Sequence, residues 1–163
     1  MKPTVRAFIG LGGNLGDVRS SLDAAFVALD ALPGTQLVAT SSLYVSAPHD
    51  AAGPDYLNAV AEVSTSLSAH DLLAGLQAIE TQAGRERPYR NAPRTLDLDL
   101  LLHGAQRIAS ATLVVPHPRL HERAFVLRPL SEIAPWLVVP GLGPIADLLP
   151  NIAGQRIDKL PPC

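Results

Sequence analysis

The sequence predicts an α+β domain whose elements run β-α-β-β-α-β and continue into a C-terminal extension. Three observations carry that expectation. Two stretches repeat apolar residues at helical spacing, strand-like apolar runs precede and follow each of them, and glycine or proline marks the boundaries between them.

In order along the chain, Val5 to Leu11 reads as a strand ending in the glycine-rich turn Gly10-Leu-Gly-Gly-Asn-Leu-Gly16. Asp17 is placed to cap the following helix, where Leu22, Ala25, Phe26, Leu29 and Leu32 recur on one face. Pro33-Gly34 stops it. Gln36 to Tyr44 reads as a strand, followed by a loop with Pro48, Gly53 and Pro54. Tyr56 to Leu67 is the next strand, with Leu57, Ala59, Ala61 and Val63 on one face. Ser68-Ala-His-Asp71 offers a capping box before Leu72, Leu73, Leu76 and Ile79, and Gly84 suits the end of that helix. Thr95 to Leu102 is the last core strand. This is the split βαβ order of a ferredoxin-like sheet. Leu113 to Val115, a short helix around Arg123 and proline-punctuated segments form the extension, and residues 1–163 read as a single domain.

The length suffices to bury a core without disulfides. With 47% hydrophobic and 17% charged residues the chain is globular rather than disordered. Its single cysteine, Cys163, excludes a disulfide framework and an internal thiolate metal site. No apolar run reaches transmembrane length, and Met1-Lys2-Pro3 leads into a strand without a signal-peptide pattern. The expectation is a cytoplasmic protein with no membrane partner. A net charge of −2 argues against nucleic-acid binding. The arginines nonetheless crowd one region, as Arg85, Arg87, Arg90, Arg94, Arg107, Arg119, Arg123 and Arg128. Arginine is suited to bidentate phosphate recognition, so a small polyanion is a plausible ligand.

The sharpest feature is Arg94-Thr-Leu-Asp-Leu-Asp-Leu-Leu-Leu102. In a strand, Leu96, Leu98 and Leu100 face the core while Asp97 and Asp99 share the other face, their Cα atoms roughly 7 Å apart. Such a pair can hold hard cations for phosphoryl chemistry. It also fits an edge strand with a solvated acidic face. The loop Gly84-Arg-Glu-Arg-Pro-Tyr-Arg-Asn-Ala-Pro-Arg94 runs directly into it and suits closure over a triphosphate, although an ordinary polar loop has the same composition. His117 stands between two prolines, which suits a side chain aimed at a ligand; His121 reads equally well as a surface residue. Tyr56 and Asn58 offer an aromatic platform and an amide on one strand face, as would any half-buried strand. The glycine-rich segment lacks the Gly-Lys-Ser/Thr ending of a P-loop and reads as a tight strand-to-helix connection.

Taken together the chain resembles the 6-hydroxymethyl-7,8-dihydropterin pyrophosphokinase family. The resemblance rests on Gly10-Leu-Gly-Gly-Asn-Leu-Gly16, Ser41-Ser-Leu-Tyr44, Asp55-Tyr-Leu-Asn58, Gln77-Ala-Ile-Glu80, Gly84-Arg85, Pro93-Arg-Thr-Leu-Asp-Leu-Asp99, Val115-Pro-His117, Arg123-Ala-Phe125 and Glu132-Ile-Ala-Pro135, in family order. It implies that Asp97 and Asp99 hold two Mg²⁺ ions against ATP and that Arg85 and Arg94 assist transfer. It further implies that Gln77, Glu80, Arg87, His117 and Arg123 bind ATP, while Ser46, Tyr56, Asn58 and Phe125 bind the pterin. The implied reaction is attack of the pterin hydroxyl on the β-phosphorus of ATP, releasing AMP, in folate biosynthesis. Asn91 stands where some members carry tryptophan, Pro118 where some carry tyrosine, and Ser46-Ala47 where some carry Thr-Pro. Alternatives are a two-metal nucleotidyltransferase, disfavoured by Ala92-Pro93-Arg94-Thr95 in place of a Gly-Ser turn, and a non-catalytic ferredoxin-like binding module. The expected partners are the two small substrates, with the chain a monomer.

Overall fold

The computed structural model describes residues 3–13, 18–46, 56–84 and 96–160. The first part of the chain comprises β1 (Val5–Gly13), α1 (Val18–Asp30), β2 (Thr35–Thr40), β3 (Tyr44–Ser46), β4 (Tyr56–Thr65), α2 (Ala69–Gly84) and β5 (Asp97–His103). There follow β6 (Ile108–Ala109), β7 (Val114–Val115), a 3-10 turn at Leu120–Glu122, α3 (Ala124–Ile133), β8 (Val138–Val139) and β9 (Gly143–Pro144). The chain then closes with α4 (Ile145–Leu148), a second 3-10 turn at Leu149–Ile152, and β10 (Ile157–Lys159). The main sheet has the order β10-β3-β4-β1-β5, with β2 also pairing with β4. Every pairing in it is antiparallel. Among the described residues no helix is long and apolar enough to cross a membrane.

Period-two patterning divides the sheet into two apolar faces. On one face Ala7, Ile9, Leu11, Ala61, Val63, Leu98 and Leu100 pack against Leu22, Ala25 and Leu29 of α1 and Leu72 and Leu76 of α2. On the other, Phe8, Val60, Leu101 and Leu102 pack against Leu120, Val126, Leu127, Leu130 and Ile145. Three successive leucines in β5 serve both layers through a bulge. Ile9 pairs with Leu100 and Phe8 with Leu102, leaving Leu101 as the extra residue. The strand therefore changes phase at Leu101, and the alternation before it keeps the aspartates off the face covered by α1 and α2.

The segment expected as one strand over 36–44 is divided into β2 and β3. Ser41 spans the break: its N–H donates to Val60 O at 2.8 Å and its Oγ accepts from Val60 N–H at 2.9 Å. β1 extends beyond Leu11 to Gly13, because both its edges are paired there, Gly13 with Leu57 and Gly12 with Asp97. Ladder pairing on both sides outweighs the weak strand preference of glycine. Ser68 caps α2 as expected, its Oγ accepting from Asp71 N–H at 3.1 Å.

Glu132 of α3 ties the extension to β3. Its carboxylate accepts from Tyr44 Oη at 2.7 Å, from Ser42 Oγ at 2.9 Å and from Ser42 N–H at 3.1 Å, and Lys159 Nζ of β10 lies 4.0 Å away. Burial pushes the Glu132 pKa up, but the hydrogen bonds from Tyr44 and Ser42, with the Lys159 charge, outweigh it and hold the pKa below its ordinary 4.5. The same burial and the neighbouring carboxylate push the Tyr44 hydroxyl up. A depressed carboxyl pKa stabilises the fold fully above the unfolded value and loses that contribution as pH falls through the folded value. Glu132→Gln should therefore unfold about 4–8 °C lower than wild type near pH 7, a loss of about 2 kcal/mol. Thermal scans should show that gap closing below pH 4.5; a gap independent of pH would show that the charge is immaterial.

Candidate active site

Directly paired residues in adjacent strands point to the same face of a sheet. Gly12 of β1 pairs with Asn58 on one side and Asp97 on the other; Gly10 pairs with Val60 and Asp99. Two glycines thus separate the carboxylates of β5 from the side chains of β4 and leave bare backbone between them. Gly12 is required by close approach, since a Cβ there would lie 2.9 Å from Asn58 Oδ1. Asn58 is only 4% exposed and donates through Nδ2 to Ser46 Oγ at 2.8 Å, which leaves Oδ1 as its acceptor at the glycine floor.

Above this floor lies a cavity of about 600 Å³, within the usual range for a small-molecule site. Its sheet side comprises Gly10, Leu11, Gly12, Ser46, Tyr56, Asn58, Asp97 and Asp99. The facing wall is formed by Arg119, Glu122, Arg123, Ala124, Phe125, Val126, Gln155 and Arg156. The Arg123 guanidinium lies 5.4 Å from the Phe125 ring centroid, and its buried Nε has no hydrogen-bond partner among the described residues. Arg119 Nε pairs with Glu122 Oε2 at 3.2 Å. Carboxylates on the sheet and arginines on the wall give the cavity both signs of charge, suited to a cation and a polyanion bound together.

Of the residues singled out from sequence, Ser46, Tyr56, Asn58, Asp97, Asp99, Arg123 and Phe125 meet in this cavity. Gln77, Glu80 and His117 are not among its described lining residues. Gln77 is exposed on α2. Glu80 reaches from α2 to β5, its Oε2 accepting from Leu98 N–H at 2.7 Å. His117 docks on the β5 bulge through its N–H to Leu101 O at 3.0 Å. Burial lowers its pKa; Asp99 raises it, while Arg123 and Arg119 lower it further. Arg85, Arg87 and Arg94, with the rest of the arginine-rich loop, lie outside the described residues, as do residues 14–17 of the glycine-rich segment. Sequence reasoning missed the glycines as a cavity floor, and Gln155 and Arg156 altogether. The glycines could have been found by aligning β1 against the aspartate strand; nothing local marks Gln155.

The donor set fits magnesium. Mg²⁺ is commonly held by one or two carboxylates together with substrate phosphates, rather than by a cage made wholly of protein. Asp97 and Asp99 supply two such carboxylates to a cavity whose opposite wall is cationic. Among the described residues no three acidic, histidine or cysteine side chains converge on a common point.

Fold and cavity define a class: a small α+β protein whose antiparallel sheet presents paired carboxylates to an arginine-bearing wall, the arrangement that phosphoryl-group chemistry uses. Residues 8–135 match the model of the 7,8-dihydro-6-hydroxymethylpterin-pyrophosphokinase family, and the chain belongs to that family. It is 45% identical over 157 residues to the 2-amino-4-hydroxy-6-hydroxymethyldihydropteridine pyrophosphokinase of Pseudomonas aeruginosa, covering 96% of this chain and 97% of that one. With the enzyme of the same name from Haemophilus influenzae it shares 45% identity over 159 residues, covering 97% and 99%. Among solved structures it is similar in fold to wild-type Plasmodium falciparum HPPK-DHPS with SDX-DHP, at a TM-score of 0.68 and 14% identity. That match covers 88% of this chain but 42% of the longer one.

Proposed function

We propose that this cavity transfers a pyrophosphoryl group from ATP to the hydroxyl of 6-hydroxymethyl-7,8-dihydropterin. The products are AMP and the pterin diphosphate, and the step belongs to folate biosynthesis. The hydroxyl oxygen bonds to the β-phosphorus, the bond from that phosphorus to the α–β bridging oxygen breaks, AMP leaves with that oxygen, and the hydroxyl proton is released. The observation that carries this reading is the meeting of Asp97 and Asp99 with Tyr56, Asn58, Arg123 and Phe125 around one glycine-floored cavity, in a chain that belongs to the pyrophosphokinase family.

Each side chain has a task that follows from its setting. Tyr56 and Phe125 offer apolar faces to the planar heterocycle. Asn58, its Nδ2 committed to Ser46, accepts through Oδ1 from an N–H on the heterocycle edge. Arg123, with a buried Nε in want of an acceptor, supplies charge-assisted hydrogen bonds to phosphate oxygens. Asp97 and Asp99 would hold two Mg²⁺ ions, which when bound neutralise charge on the phosphate oxygens and orient them for in-line displacement. The family resemblance adds Arg85 and Arg94 as transfer-assisting residues, and Gln77, Glu80, Arg87 and His117 as ATP contacts. The strand order β5-β1-β4-β2 supports a ferredoxin-like core. Residues 1–163 then act as one pyrophosphokinase domain, a cytoplasmic monomer.

Incubation with ATP, Mg²⁺ and the pterin should yield pterin-dependent AMP and no ADP on nucleotide chromatography. Pyrophosphate release would indicate nucleotidyl transfer instead, and ligand binding without nucleotide turnover would indicate a binding module.

A further inference from the structure

We infer that Gln155, which lies beyond the residues matched by the family model, is a positioning residue that sets the arginine and aromatic wall of the cavity. Its side-chain amide clamps the backbone on either side of Arg123. Nε2 donates to Glu122 O at 2.6 Å, and Oε1 accepts from Ala124 N–H at 2.9 Å. Between those two anchors Arg123 is extended, with φ −121° and ψ 116°, and it is the junction between the 3-10 turn and α3. The side chain of Arg123, the N-cap residue, makes no capping hydrogen bond, so the Gln155 side-chain carbonyl takes that part by accepting from a first-turn N–H that has no partner within the helix.

The clamp has its own support. Gln155 N–H donates to Ile152 O at 3.0 Å, and Ile157, two residues on, pairs with Ser46 of β3 in the main sheet. Ser46 is the hydrogen-bond partner of Asn58. One strand pairing therefore fixes Gln155 relative to both the heterocycle-reading amide and the backbone that carries Arg123 and Phe125. Two hydrogen bonds to consecutive peptide groups restrict the direction in which Arg123 and Phe125 leave the chain. Without them the wall samples other orientations, and apparent affinity falls with the fraction that remains competent.

The inference rests on the proposed function, and its test separates the two. Gln155→Met keeps the length of the side chain and removes both hydrogen bonds, at a position exposed enough to accept it. KM for the pterin and for ATP should each rise about five- to tenfold, the size set by two partly exposed hydrogen bonds. The melting temperature should fall by no more than about 3 °C. On an Arg123→Leu background, the effect of Gln155→Met on KM for ATP should vanish, because the side chain being positioned is gone. A lower melting temperature with both KM values at wild-type level, or penalties that simply add in the double variant, would assign Gln155 a structural role and overturn the inference alone. Absence of pterin-dependent AMP from wild-type protein would overturn the function and the inference together.

Discussion

Replacing Asp97 or Asp99 with asparagine is expected to reduce pterin-dependent AMP formation by about a thousandfold or more while leaving the fold intact. Both side chains are only partly buried and point into the cavity rather than into either apolar layer, so neither is needed for packing. Asparagine preserves shape and removes the anionic donor that a hard cation requires. Metal assistance to phosphoryl transfer contributes several kcal/mol, and each 1.36 kcal/mol is a factor of ten in rate. The check is turnover measured across a Mg²⁺ titration, with melting curves to confirm folding. Turnover near wild type in either variant would remove that carboxylate from the metal site. Full recovery at high Mg²⁺ would reduce its role to one of affinity.

Asn58→Ala should weaken pterin binding by about a hundredfold and leave ATP binding within about twofold. Asn58 is almost wholly buried, yet its Oδ1 faces the cavity floor beside Gly12. A site built to hydrogen-bond a ligand edge loses far more than the bond itself when the acceptor is removed, because the ligand's donor is then desolvated without a partner. The substitution also strands Ser46 Oγ, which would have to find another donor. Titration of the pterin by intrinsic fluorescence or calorimetry, with and without a non-hydrolysable ATP analogue, reads both constants. Equal weakening for the two ligands would mean that Asn58 supports the sheet rather than reading the heterocycle.

These expectations show which parts of the site were legible in the chain. Asp97 and Asp99 were placed correctly relative to one another because strand alternation is local: residues two apart share a face whatever the remaining fold does. Tyr56 and Asn58 were grouped for the same reason. Helical spacing likewise marked the faces of α1 and α2, and the Ser68 cap was readable because its partner is three residues away. The glycine-rich segment was read as a turn because glycine is a weak strand former, and its pairing on both sides in β1 is a property of register, not of composition. The break between β2 and β3 escaped notice because Ser41 is held there by Val60, far along the chain.

The C-terminal third shows the same division more sharply. Arg123 and Phe125 stood out as candidates, but nothing in the order of residues showed that Gln155 would clamp the peptides around Arg123, or that Glu132 would gather Ser42, Tyr44 and Lys159. By itself the sequence determined the two core helices, the apolar faces and the paired carboxylates, since each follows from periodicity within a few residues. Only the tertiary structure decided that Gly12 lies between Asp97 and Asn58 and Gly10 between Asp99 and Val60, and that the extension folds back to wall the cavity. The physical reason is that these juxtapositions come from strand pairing and long-range hydrogen bonds, whose partners are chosen by the packing of the whole chain.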